Sequence, residues 1–126
     1  MFNPDYDYTK IPTPIEIAKL LFKSYSHKYK CVSIRRNIWC ELNNNNWYEI
    51  DSAYSLRNLI SNEISEKYYD QVKYLNGKIK ETDNEYVMDQ YHSNIKILSK
   101  IINMLNMSFF RNAIIRECAN LFYQPN

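Results

Sequence analysis

Residues 31–51 read CVSIRRNIWCELNNNNWYEID and hold both tryptophans of the chain, two of its three cysteines and a run of four asparagines. Three β-prone runs stand out, 31–34, 38–42 and 47–50, rich in β-branched and aromatic residues that suit a half-buried pleated surface. They are broken at 35–37 and 43–46, where asparagine tolerates the positive φ of a hairpin turn. The spacing predicts a three-stranded antiparallel meander across residues 30–50. If the asparagine loop closes symmetrically, Leu42 faces Trp47 and Trp39 faces Ile50, so each face of the ribbon carries one large aromatic. Both tryptophans are read as core anchors, because burial of a large aromatic is the most effective way to dock a small sheet.

Outward from the ribbon the chain reads as helix. Residues 1–12 are polar, aromatic and proline-bearing, and are expected to form an extended arm. Thr13, Pro14 and Glu16 then match a capping box with proline at the first helical position. Ile17, Leu20 and Leu21 follow at helical spacing, predicting a helix over 14–25. After Asp51 and Ser52, either of which can cap, a helix is predicted over 54–79. Its buried side carries Leu56, Leu59, Ile60, Ile64, Tyr68, Val72, Leu75 and Ile79, and Gly77, the one glycine, should fray its end. Met88, Tyr91, Ile95, Leu98, Ile102 and Leu105 alternate at three and four residues, the seam of an antiparallel hairpin, so a helix is predicted over 85–106. A last helix over 108–123 should bury Phe110, Ile114, Cys118, Leu121 and Phe122. The fold class is therefore α+β, with residues 13–126 as one domain and a core centred on Trp39, Trp47, Leu56, Ile60, Phe110 and Leu121.

Composition narrows the function. With 126 residues and 45% hydrophobic content, the chain suits one domain with a real core. No apolar run approaches the roughly 18 to 20 residues that cross a bilayer, and the start lacks the features of a signal peptide. An intracellular protein is expected, with no membrane partner. An odd cysteine count without repeated spacing suits free thiols. His27 and His92 are isolated, there is no Cys-x-x-Cys, no Gly-x-Ser-x-Gly and no glycine-rich phosphate loop, so neither metal, cofactor nor catalysis is expected of this chain.

The net charge of +2 conceals segregation along the chain. From residue 17 to 36, Lys19, Lys23, Lys28, Lys30, Arg35 and Arg36 stand without an acid. Residues 41–70 hold six acids against Arg57 and Lys67, and from 96 to 116 Lys96, Lys100, Arg111 and Arg116 again stand alone. One interpretation is solvated surface; the other is a patch for phosphates. The six cations of the first stretch are the candidate nucleic-acid contacts, Arg35 and Arg36 at a hairpin tip and Lys28 and Lys30 along the adjoining strand.

LLFKSYSHKYKCVSIRRNIWCELNNNNWYEIDSAYSLRNLIS (20–61) and SFFRNAIIRECANLFYQPN (108–126) resemble the domain that precedes the superfamily 3 helicase module in poxvirus-type primase–helicases of large nucleocytoplasmic DNA viruses and phages. The shared order is a helix ending in an aromatic, a Tyr-x-Cys-like strand, a Trp-bearing strand, a polar loop, a second Trp strand, Asp-Ser and Leu-Arg-x-x-Ile-Ser. The closing Leu-Phe-Tyr is similar too, whereas residues 69–107 match only as generic helix. The resemblance implies a non-catalytic linker in a viral replicative machine, located in the host cytoplasm or a viral replication compartment. It would join a primase or other N-terminal region to a hexameric, ATP-hydrolysing helicase and help form a collar through which DNA passes. Its ATP-binding and primase motifs would lie outside these residues, and the abrupt ending at Gln-Pro-Asn fits a piece of a longer protein. One departure from the family pattern is that the sequence begins at Met1 with a short arm where the family carries a primase region, as expected either of a piece of a longer protein or of a parent that is organised differently. Expected partners are DNA, single- or double-stranded and bound weakly without sequence preference, and an adjacent helicase domain. The alternative is a protein interaction or oligomerisation module that touches no nucleic acid, using the 88–105 seam and the spare ribbon face.

Overall fold

Proline at the first helical position and the reciprocal cap before it set the start of α1, Pro14–Tyr25, in the computed structural model, which describes residues 6–51 and 53–125. Glu16 Oε1 accepts from the Thr13 backbone N–H at 3.1 Å, and Thr13 Oγ1 accepts from the Glu16 N–H at 3.4 Å. The Thr13 backbone N–H and the Thr13 hydroxyl, the latter at 3.0 Å, both donate to the Glu16 carboxylate and hold it below its ordinary pKa. Ile17, Ala18 and Leu21 form the buried stripe of α1.

Residues 6–12 do not run as an extended arm. Asp7 Oδ1 accepts from the Thr9 N–H at 3.0 Å and from its hydroxyl at 2.7 Å, which turns the chain back on itself. Tyr8 is buried with its ring 5.4 Å from that of Tyr68, and the Tyr6 and Tyr68 hydroxyls lie 3.0 Å apart. The first five residues of the expected arm lie outside the described residues.

The ribbon forms β1 (Tyr29–Ser33), β2 (Ile38–Asn43) and β3 (Asn46–Ile50), antiparallel in the order β1-β2-β3. Asn44 and Asn45 both take positive φ, 50° and 65°, the geometry of a two-residue hairpin turn matched to the sheet twist. The resulting register pairs Trp39 with Ile50 and Leu42 with Trp47. The inner face carries Tyr29, Cys31 and Trp39, all buried. Phe122 supports it, with its ring 5.8 Å from Trp39 and 5.1 Å from Phe22 of α1. The outer edge of β1 is closed by the chain's last residues: Cys31 N–H donates to Phe122 O at 3.0 Å and Gln124 N–H to Cys31 O at 2.9 Å.

Trp47 departs from the expected core. It is 38% exposed, on the sheet face opposite Trp39 and on the outermost strand, where among the described residues no helix packs closely on it. Trp39, Leu56 and Ile60 are fully buried, Phe110 is nearly so, and Leu121 is half-buried against the core.

Helix resumes with α2, Tyr54–Leu59. The position expected for a capping side chain is taken by Ala53, in the left-handed region at φ 56° and without a side-chain cap; Ser52 lies outside the described residues. A π-helical turn, Ile60–Ile64, joins α2 to α3, Ser65–Glu81. Leu56, Ile60, Ile64 and Tyr68 recur at strict four-residue spacing, which in an α-helix drifts by roughly 40° per step. The wider π turn absorbs the drift and keeps all four buried. Gly77 lies inside α3 rather than at its frayed end, since the helix continues to Glu81. Asn84 caps α4, Glu85–Leu105, accepting from Val87 N–H at 3.2 Å, and α4 returns along α3. Of the seam, Leu98, Ile102 and Leu105 are buried, while Met88, Tyr91 and Ile95 are half-buried where α3 and α4 cover only each other. Finally α5, Ser108–Leu121, packs along α1 and buries Ile114 and Cys118.

Candidate nucleic-acid interface

The turn that carries Arg35 and Arg36 is fixed by three hydrogen bonds. Asn37 N–H donates to Ile34 O at 3.2 Å, Arg36 N–H donates to Ser33 Oγ at 3.2 Å, and Trp39 Nε1–H donates to Asn37 Oδ1 at 3.0 Å. Asn37 itself takes φ 53°, which asparagine tolerates better than most residues. A buried tryptophan therefore anchors an exposed tip, and both arginines stand exposed without an ion pair among the described residues.

The other candidate cations are engaged or separated. Lys28 Nζ lies 3.5 Å from Glu41 Oε2, a carboxylate that is itself mostly buried. Glu41 and burial together push the Tyr29 hydroxyl up, burial more strongly. Lys30 Nζ sits 4.4 Å from the centre of the Trp47 ring, a cation–π contact on the outer sheet face. Lys19 and Lys23 are exposed on α1. Tyr29 to Ser33 spans roughly 13 Å of strand, so Lys28 and the tip arginines lie at opposite ends of β1.

The two flanks of the tip differ in charge. On one, Arg36 and Asn37 share an open groove with Ile38, Glu49, Ile50 and Asp51, so acids from the middle of the sequence do return beside the basic stretch. On the other, a groove of about 450 Å³ is lined by Ile34, Asn37, Arg57, Asn112, Ile115, Arg116 and Ala119, with no acid among them. Arg57 and Arg116 are absent from the candidate set, and among the described residues no ion pair holds either. Sequence separation hid them: Arg57 sits amid the acids of residues 41–70, and only the fold sets it against α5. Asn112, Ile115, Arg116 and Ala119 recur at three- and four-residue spacing, the one signal by which this face of α5 could have been found.

Nearby, Arg111 Nη1 donates to Ser61 Oγ of the π turn at 2.6 Å, while its buried Nε finds no partner among the described residues. Burial raises the Cys31 and Cys118 thiols, the latter to about 12, so neither is a thiolate nucleophile near neutral pH. Among the described residues no cluster of His, Cys, Asp and Glu could hold a metal ion, and no helix is long and apolar enough to cross a membrane.

No protein-family profile matches the chain. A protein of Acanthamoeba polyphaga mimivirus named as a candidate helicase is 43% identical over 110 residues, 87% of this chain. A second, from frog virus 3 and named in the same way, is 25% identical across 91% of the chain. The chain spans only 11% and 15% of the lengths of these two relatives.

Proposed function

The chain carries a domain of viral candidate helicases, and from that premise we propose that it is a non-catalytic accessory unit of viral DNA replication, contacting DNA through the tip of its first hairpin. The observation that supports it is the tip itself. Arg35 and Arg36 stand exposed, without an ion pair among the described residues, on a turn pinned by Trp39 and Asn37, so their guanidinium groups are open to phosphate. Catalysis would belong to the remainder of the parent protein, with ATP hydrolysis driving strand separation and this unit docked beside the motor, in a collar where the parent is a ring.

Binding is tested by fluorescence anisotropy of labelled single- and double-stranded oligonucleotides across a salt series. Log K is expected to fall linearly with log salt, and Arg35→Ala with Arg36→Ala to flatten the slope by about two units on duplex. Identical curves for wild type and double variant would remove the tip as a DNA contact. Absence of binding at low salt would favour an interaction module instead.

A further inference from the structure

We infer that the acid-free groove between the first hairpin and α5 is a seat for a single DNA strand, with phosphates held by Arg57 and Arg116 and a base stacked on Phe109. The inference rests on the DNA-contact proposal and specifies the form of DNA. Every charged group lining the groove is a guanidinium. The Trp39 indole occupies one lone pair of the Asn37 amide oxygen and leaves both N–H donors of that amide for a ligand. A lining of donors without carboxylates selects an anion, and bidentate guanidinium groups suit phosphate.

The apolar part of the groove distinguishes single strand from duplex. Ile34, Ile115 and Ala119 form a floor beside the arginines. In a duplex the bases are stacked inward and cannot use such a floor, whereas a single strand presents both backbone and base faces. Phe109 adds the platform. It is 77% exposed, the most exposed of the large apolar residues described. Seven residues separate it from Arg116, two helical turns, so both project from one side of α5 roughly 10 Å apart. Asn112 lies between them. A strand along this side would meet an aromatic face, an amide and a guanidinium in turn, the combination of stacking and phosphate contact that single-strand binders use.

The test uses the full chain, a labelled thymidine oligonucleotide of about 12 nucleotides and a duplex of equal length. Phe109→Ala and Arg116→Gln both change exposed side chains, and thermal unfolding verifies that each variant folds. Each is expected to weaken single-strand binding about tenfold, with Phe109→Ala leaving duplex affinity unchanged. Arg35→Ala with Arg36→Ala should weaken both forms. If Phe109→Ala and Arg116→Gln bind the single strand as wild type does while the tip variant loses both forms, the groove is not the seat and the DNA-contact proposal survives. If wild type binds neither form at low salt, the DNA-contact proposal falls and this inference falls with it.

Discussion

Trp39 and Asn37 are joined by an indole N–H to carbonyl hydrogen bond of 3.0 Å that ties the fully buried core of the sheet to an exposed turn. Asn37 meets two demands, a left-handed backbone at φ 53° and an acceptor two residues before the indole. Asn37→Ala loses both and is expected to cost about 2 to 4 kcal/mol, combining left-handed strain with an unpaired buried donor. Asn37→Gly loses only the acceptor and should cost about 1 kcal/mol less than alanine. Urea midpoints for the pair separate the contributions; equal losses would mean that the turn relaxes out of the left-handed region.

The two tryptophans differ in energetic weight. Trp39→Ala empties a site with no solvent exposure and should cost about 3 to 5 kcal/mol. Trp47 is half-open and loses chiefly its contact with Lys30, so Trp47→Ala should cost about 1 kcal/mol. A drop in denaturation midpoint as large as that of Trp39→Ala would contradict its position on the uncovered face.

The contrast shows which features were legible in the sequence. Register was, because Asn44 and Asn45 are residues that accept the paired positive φ, and a two-residue turn leaves one way to pair Trp39 with Ile50. The cover over each face was not, because two-residue alternation assigns Trp39 and Trp47 to opposite faces without saying which one meets a helix. The π turn was hidden too: its strict four-residue spacing still reads as an apolar helical stripe, and only the accumulated drift demands the wider turn. At the candidate site the tip arginines were visible as a turn between strands, whereas Arg57 and Arg116 come together only through the packing of α2 and the hairpin against α5.

Gly77 lies within α3, four residues before its end at Glu81, and a methyl group added there would meet nothing within 4 Å. Glycine inside a helix is less favourable than alanine by about 1 kcal/mol, through unfolded-chain entropy. Gly77→Ala should therefore stabilise the protein by about 0.5 to 1 kcal/mol, measured by thermal or urea unfolding. A destabilised variant would indicate that α3 bends at this point in solution.

Stability should fall in alkali. The Cys118 thiol ionises near 9.0 when unfolded, while burial, aided by Glu117, raises it to about 12 in the folded protein. Below the lower value both states are protonated and its contribution is intact. Between the two values the unfolded state has released a proton that the folded state retains, so rising pH favours unfolding, by about 1.4 kcal/mol per pH unit for one group. Tyr68, Tyr29 and Tyr6, each raised above 10.0 chiefly by burial, act in the same direction at higher pH. Urea midpoints from pH 8 to 11 should decline beyond about pH 9; a level profile would mean that the thiol reaches solvent without unfolding.

Lys28 provides an internal control on the proposed DNA contact. Its ammonium is 3.5 Å from Glu41, whose carboxylate is mostly buried and also lies near the Ser55 hydroxyl. Engagement of phosphate by Lys28 would strip Glu41 of its cation in a partly desolvated setting, so the pair should persist when DNA binds. Counterion release then counts only the unpaired cations, each contributing about −0.9 to the slope of log K against log salt on duplex and about −0.7 on single strand. Arg35 and Arg36 together should supply nearly two units on duplex, and Lys28→Gln almost none. Anisotropy titrations of the Lys28→Gln variant at several salt concentrations should reproduce the wild-type slope. A slope flattened by a full unit would show that Lys28 leaves Glu41 for phosphate, moving the contact from the hairpin tip to the opposite end of β1.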